Sequence, residues 1–206
     1  MTESILEHAI KTALILIVFA VTYTLFLAYT HDVTKAPIAA SEAKVRMELF
    51  SQILPVALHD NDLLKDSINI EPNEMLGNRQ PIVANRARIK GKPAAIIFEA
   101  IAHDGYAGDI KLLIAIKYDG SLAGVRVITH KETPGLGDYI DIAKGNWIKL
   151  FDGESLQKTT DSGWAVKKDG GQFDYMAGAT ITPRAIVKAL HKALQYYAAN
   201  KDALFK

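Results

Sequence analysis

Between Thr12 and Tyr29 the chain carries no charged residue; it reads Ala-Leu-Ile-Leu-Ile-Val-Phe-Ala-Val and then Leu-Phe-Leu-Ala. A helix of roughly 18 to 20 residues, rising about 1.5 Å per residue, reaches the thickness of a bilayer's hydrocarbon core. Residues 12–30 are therefore expected to form one transmembrane helix, flanked by Lys11 on one side and by His31 and Asp32 on the other. The run is long for the core of a cleaved signal peptide, and no small-x-small cleavage site follows it directly, which favours an uncleaved anchor. Tyr29 suits an interfacial belt, whereas Tyr23 lies at mid-span. Glu3, Glu7 and Lys11 precede the span, and Lys35, Lys44 and Arg46 follow it. That count slightly favours a C-terminal side kept inside, although large domains cross regardless of so small a bias.

The remainder is long enough for one domain of ordinary size. Of 206 residues, 49% are apolar and the net charge is +1, so no basic excess is available for a nucleic-acid backbone. With no cysteine, disulfides and thiolate ligands are excluded, and no two of the six histidines stand at ligand spacing. No metal site is expected.

Ala36-Pro37 reads as the start of a stalk helix running to about Leu54, with Ile38, Val45, Leu49 and Ile53 on its buried face and Pro55 as its stop. Residues 58–91 are rich in Asn, Asp, Glu and Pro and read as irregular linking structure. Strand patterns then occupy 95–102, 110–117 and 122–130, separated by His103-Asp-Gly and Tyr118-Asp-Gly-Ser. Asp-Gly between such runs signals hairpins, because both residues tolerate positive φ, so an antiparallel meander is expected. Leu112 to Ile116 is apolar throughout, which suggests a strand covered on both faces.

Two loops stand out. His130-Lys-Glu-Thr-Pro-Gly-Leu-Gly-Asp138 follows the third strand and leads to an expected helix ending near Trp147; it would bring backbone N–H groups and Leu136 against something flat. Phe173-Asp-Tyr-Met-Ala-Gly-Ala-Thr-Ile-Thr-Pro-Arg184 ends in an amphipathic helix, with Thr182 as its cap and Pro183 as its first residue. Ile186, Val187, Leu190, Ala193, Leu194 and Tyr197 recur on one face of it. Ala177, Gly178 and Ala179 before that helix would let an anion approach the positive end of its dipole, beside Thr180. Taken singly, each loop reads more readily as plain punctuation than as a binding element.

Together, Glu-Thr-Pro-Gly-Leu-Gly at 132–137, Trp147, Phe151-Asp-Gly-Glu-Ser-Leu156, Gly-Ala-Thr at 178–180 and the Thr-Pro helix start resemble the FMN-binding domain of the G-type subunit of the Rnf/Rsx electron-transport complex. The same domain occurs in the C-type subunit of the sodium-pumping NADH:quinone reductase. The resemblance implies that a flavin transferase links FMN covalently, through a phosphoester, to the last threonine of a Ser/Thr-Gly-Ala-Thr motif. By position that is Thr180, with Ala177 standing where the family usually has Ser or Thr. It further implies that Glu132, Thr133, Pro134, Gly135, Leu136 and Gly137 line the flavin ring. Gly178, Ala179 and Thr182 would complete the cofactor loop, and Asp174 would serve transferase recognition.

The expected class is α+β: an antiparallel sheet flanked by helices and carrying covalent FMN, with one N-terminal transmembrane helix. Residues 1–11 would be a cytoplasmic N-terminus, 31–90 a stalk and link, and 91–206 the FMN-binding domain. The resemblance implies a single-pass protein of the bacterial inner membrane with its FMN domain in the periplasm, partnered by other membrane subunits and having no independent turnover. The equivalent subunit of the sodium-pumping reductase, the flavin subunit of another membrane reductase, and a non-redox membrane-anchored scaffold remain as alternatives. Flavin colour and fluorescence would separate the last from the others.

Overall fold

The computed structural model describes residues 4–206; Glu3, part of the charge count above, lies outside the described residues. The chain divides into two compact units, residues 1–46 and 47–206.

Helix α1 (Ile5–Ile53) is long and apolar enough to cross a membrane. Its threonines spend their hydroxyls within the helix. Thr22 Oγ1 donates to the Val18 carbonyl at 2.8 Å and Thr24 Oγ1 to the Ala20 carbonyl at 2.7 Å, so neither needs a partner in hydrocarbon. No separate helix starts at Ala36-Pro37, because Pro37 lies inside α1. Proline removes one backbone hydrogen bond there, but a helix already formed needs only to propagate through it, whereas a fresh start would require a second nucleation. Ile38 and Val45, expected to be buried, are exposed, while Phe50 and Ile53 are buried.

The second unit is α+β. Five antiparallel strands lie in chain order: β1 (Ser67–Ile70), β2 (Ile82–Ile89), β3 (Lys92–Ala102), β4 (Ile110–Lys117) and β5 (Leu122–Thr129). The last three fall where the alternation and the Asp-Gly turns placed them. The first two correct the reading of 58–91 as irregular. Their sequence hides them because their polar side chains find partners far along the chain. Arg86 Nε and Arg88 Nε reach the two oxygens of Asp66 at 2.6 and 2.7 Å, and Asn85 Nδ2 donates to the Leu63 carbonyl at 2.8 Å.

Strand β4 is covered on both faces, as its continuous apolar run requires. Leu112, Ile114 and Ile116 share a core with Ile186, Leu190, Leu194 and Tyr197 of α2 (Ile181–Leu204). Leu113 and Ala115 share a second core with Phe50, Ile53, Leu54 and Leu63. The C-terminal turn of α1 is held by β5: the Arg126 guanidinium donates to the Gln52 carbonyl at 2.7 Å, placing a cation where the helix leaves carbonyls unpaired. Gly124 lies against the same turn, where an added Cβ would sit 2.7 Å from the Ile53 carbonyl oxygen and 2.8 Å from its Cα. Gly124→Ala should therefore cost about 1–3 kcal/mol through overpacking. The check is the urea midpoint of the full chain in detergent, which would stay unchanged if that contact were absent.

Burial works against the charge on Asp66, but the hydrogen bonds and charges of Arg88 and Arg86 outweigh it and hold the carboxyl below its ordinary range. A depressed folded pKa stabilises above the unfolded value, near 3.9, and that stability is lost as pH falls through the folded value. On acidification below about pH 4 the wild type should lose stability more steeply than Asp66→Asn, as read by thermal unfolding across a pH series. Parallel slopes would contradict the pairing.

Candidate functional site

The first loop turns tightly after β5. Leu136 N and Gly137 N both donate to the Thr133 carbonyl, at 3.1 and 3.0 Å, while Gly135 N donates to the buried Asp138 Oδ1 at 2.8 Å. Gly135 supplies the positive φ, +76°, that this turn needs. No helix runs on to Trp147. Two short 3-10 turns, Gly137–Ile140 and Trp147–Phe151, stand there instead, which corrects the expectation. Their apolar residues Ile140, Ile148 and Phe151 are fully buried in the α2-side core.

The second loop is pinned at Phe173, whose ring packs 4.7 Å from Phe151 and 5.2 Å from Trp164. Trp147 Nε1 donates to the Asp174 carbonyl at 2.7 Å, and the Asp174 carboxylate pairs with Lys167 at 2.5 Å. Met176 to Ala179 then forms a tight turn, with Ala179 N donating to the Met176 carbonyl at 3.1 Å and Gly178 at φ +88°. Met176 N meets the Tyr139 hydroxyl at 3.4 Å, tying this loop to the 3-10 turn that ends the first; burial pushes the Tyr139 phenol up against that N–H, which pulls the other way.

Helix α2 begins at Ile181, not Pro183, and Thr180 holds the cap position with φ −92° and ψ −18° and no side-chain cap hydrogen bond. Pro183 remains in the first turn, where its missing N–H has no intrahelical acceptor to lose. Thr182 is not the cap, because its hydroxyl donates to Glu132 Oε2 across the site. A buried carboxylate is the stronger acceptor, and this charge-assisted bond displaces a local cap. Glu132 is only 4% exposed, and its other oxygen accepts from Ala107 N at 3.0 Å. One carboxylate thus joins the first loop, the β3–β4 connection and the start of α2, whose positive end also favours its charge. Gly137 leaves room beside it: a Cβ there would lie 3.0 Å from both Glu132 Oε2 and Thr182 Oγ1, so one of them would have to shift.

Between the loops lies a cavity of about 290 Å³. Glu132, Thr133, Leu136, Gly137, Gly178, Ala179, Thr180 and Thr182 line it. Of the other residues singled out in the sequence, Pro134, Gly135 and Ala177 lie in the turns without lining the cavity, and Asp174 stands apart in its ion pair. Tyr106 and Ile181 line it as well, and the sequence reading missed both. Ile181 was hidden by placing the helix start two residues late, and Tyr106 by its position in a hairpin connection with no pattern of its own.

The family model described as FMN-binding domain matches residues 105–195, and that described as the RnfG N-terminal region matches residues 1–53. The chain is 45% identical over 195 residues to the G-type subunit of the ion-translocating oxidoreductase complex of Pseudomonas aeruginosa, covering 95% of this chain and 91% of that one. It is 41% identical over 194 residues to the protein of that name from Aliivibrio fischeri and 42% identical over 194 to that of Vibrio cholerae, in each case covering 94% of this chain and 92% of the other. The first match includes the site and the second includes α1, which makes this a membrane-anchored protein. With relatives this similar over nearly its whole length, the chain belongs to the family of G-type subunits of the ion-translocating oxidoreductase complex.

Proposed function

We propose that this protein relays electrons through FMN joined by a phosphoester to Thr180, as the flavin-carrying subunit of a membrane-bound, ion-translocating oxidoreductase complex. The observation that carries the reading is the cavity itself, which brings together two loops separated in the chain by residues 139–172, with Thr180 on its wall.

The residues present fit a tethered flavin. Thr180 is partly exposed and its hydroxyl makes no cap bond, so that oxygen is available for a phosphoester. The first N–H groups of α2 lack intrahelical acceptors and form the positive end of its dipole, where a phosphate's charge is favoured. Gly178 keeps side-chain bulk away from that approach. Leu136, 46% exposed at the cavity, offers an apolar surface to a flat ring, and Gly137 lets the Glu132–Thr182 bond close behind it.

When bound, FMN supplies the redox chemistry, accepting and passing on electrons through its ring system. The protein's contribution is to hold and shield it. A tether through the phosphate leaves the ring unmodified, so the surrounding pocket sets its potential, and it prevents loss of the cofactor where free FMN is scarce. No proton-transfer residue is required of this chain.

The complex supplies the protein's other membrane subunits as partners, and a flavin transferase would install the cofactor, with Asp174 and the 177–180 turn as its recognition elements. Ala177 is exposed in that turn and lies outside the cavity lining, which supports its tolerance in place of Ser or Thr. In this reading α1 anchors the chain in the bacterial inner membrane and the FMN domain faces the periplasm. Protease added to spheroplasts should then degrade the domain, whereas inverted vesicles should protect it.

The reading is tested by expressing the full chain with and without a flavin transferase, in the compartment where that enzyme acts, and viewing the denatured band under ultraviolet light. Fluorescence that depends on the transferase is expected. A dark band, beside a control substrate that becomes fluorescent, would overturn the tether.

A further inference from the structure

Among the described residues, Tyr106 is the only aromatic one lining the cavity, and 68% of its surface is exposed. A lone exposed tyrosine in a connection ordinarily carries no meaning. This one sits on a segment fixed from several sides. His103 closes the base of the β3–β4 connection, with Nδ1 2.8 Å from Asp109 Oδ1 and Nε2 2.8 Å from the Gly77 carbonyl. Asp104 pairs with Lys188 of α2. Gly105 packs so closely that an added Cβ would lie 2.2 Å from the Gly108 carbonyl oxygen. Next to Tyr106, the Ala107 N–H donates to Glu132 Oε1 at 3.0 Å, so the carboxylate that grips Thr182 also grips this tip.

Leu136 and Ile181 line the same cavity and are 46% and 44% exposed. Three large, largely apolar side chains thus stand exposed around one cavity. A flat conjugated ring is the ligand that suits them: it would remove their apolar surface from water and offer the phenol a stacking partner.

We propose that Tyr106 contacts the isoalloxazine ring of the tethered FMN and that Glu132, through Ala107, positions it to do so. This rests on the reading of Thr180 as the tether. The contact has an optical signature independent of turnover. An excited flavin takes an electron from a phenol in van der Waals contact and returns it at once, so nothing is consumed and only the emission is lost. Phenylalanine has the same shape but is far harder to oxidise.

The experiment uses the full chain carrying flavin, in detergent, as wild type, Tyr106→Phe and Tyr106→Leu. Flavin emission is measured in the native state and again after unfolding each sample in urea and removing free flavin by gel filtration, so that the unfolded value reports covalent loading and the native-to-unfolded ratio reports contact. The wild type should be strongly quenched when native, and both variants should show a several-fold higher ratio at similar loading. Equal ratios in all three, with bright unfolded samples, would overturn the Tyr106 contact and leave the tether standing. A dark unfolded wild type would overturn both. Because Tyr106 is exposed, neither substitution removes a core contact, and loss of folding does not confound the ratio.

Discussion

Thr180→Val yields a chain that folds, reaches the membrane and stays dark under ultraviolet light after denaturation, while the wild type fluoresces. Valine keeps the shape and branching of threonine and removes only the hydroxyl. That hydroxyl makes no cap hydrogen bond, so its loss should cost less than the ~0.5–2 kcal/mol of a true N-cap deletion. The effect on flavin content should instead be all or none. Thr182→Ser is the matched control: it retains the hydroxyl that reaches Glu132 and should remain fluorescent. If Thr180→Val fluoresced and a Thr182 variant did not, the phosphoester would belong to the other threonine.

Glu132→Ala is the second large effect, and it acts on stability as well as on loading. It leaves the Thr182 hydroxyl, on a residue 1% exposed, without its acceptor, while Ala107 N can turn to water. An unsatisfied buried donor costs about 1–3 kcal/mol. For a domain of this size that is roughly 2–12 °C in Tm. Loading should fall further than stability alone explains, because the three segments that frame the cavity lose their common anchor. Glu132→Gln keeps one acceptor oxygen and should recover part of both quantities. The measurements are thermal unfolding in detergent and flavin content per chain. If Glu132→Ala kept both at wild-type values, the carboxylate would not hold the site.

How far the sequence reached depended on where each residue's partner lies. Strands β3 to β5 were legible because their apolar runs and Asp-Gly turns are local signals. The buried face of α2 was legible for the same reason. In β2 the inward residues Ala84 and Ala87 are small, and Asn85, Arg86 and Arg88 look like loop residues until Leu63 and Asp66 are brought beside them. The start of α2 was misplaced because Thr182-Pro183 carries a stronger cap signal than Thr180-Ile181, and nothing nearby reveals that Glu132 claims the Thr182 hydroxyl. Beside Tyr106, the Ala107 N–H meets the same carboxylate through a hydrogen bond spanning 25 residues, which no local pattern reveals. The two loops were recognised only as a pair, and what joins them physically is the network centred on Glu132.

A phosphoester between FMN and Thr180 leaves a defined mark on one peptide, which mass spectrometry reads. Trypsin should release residues 169–184, a peptide that contains both Thr180 and Thr182 and ends at Arg184. This peptide should carry the mass of FMN less one water, with fragment ions placing the addition on Thr180. An unmodified peptide from protein shown to contain covalent flavin, or an addition placed on Thr182, would contradict it.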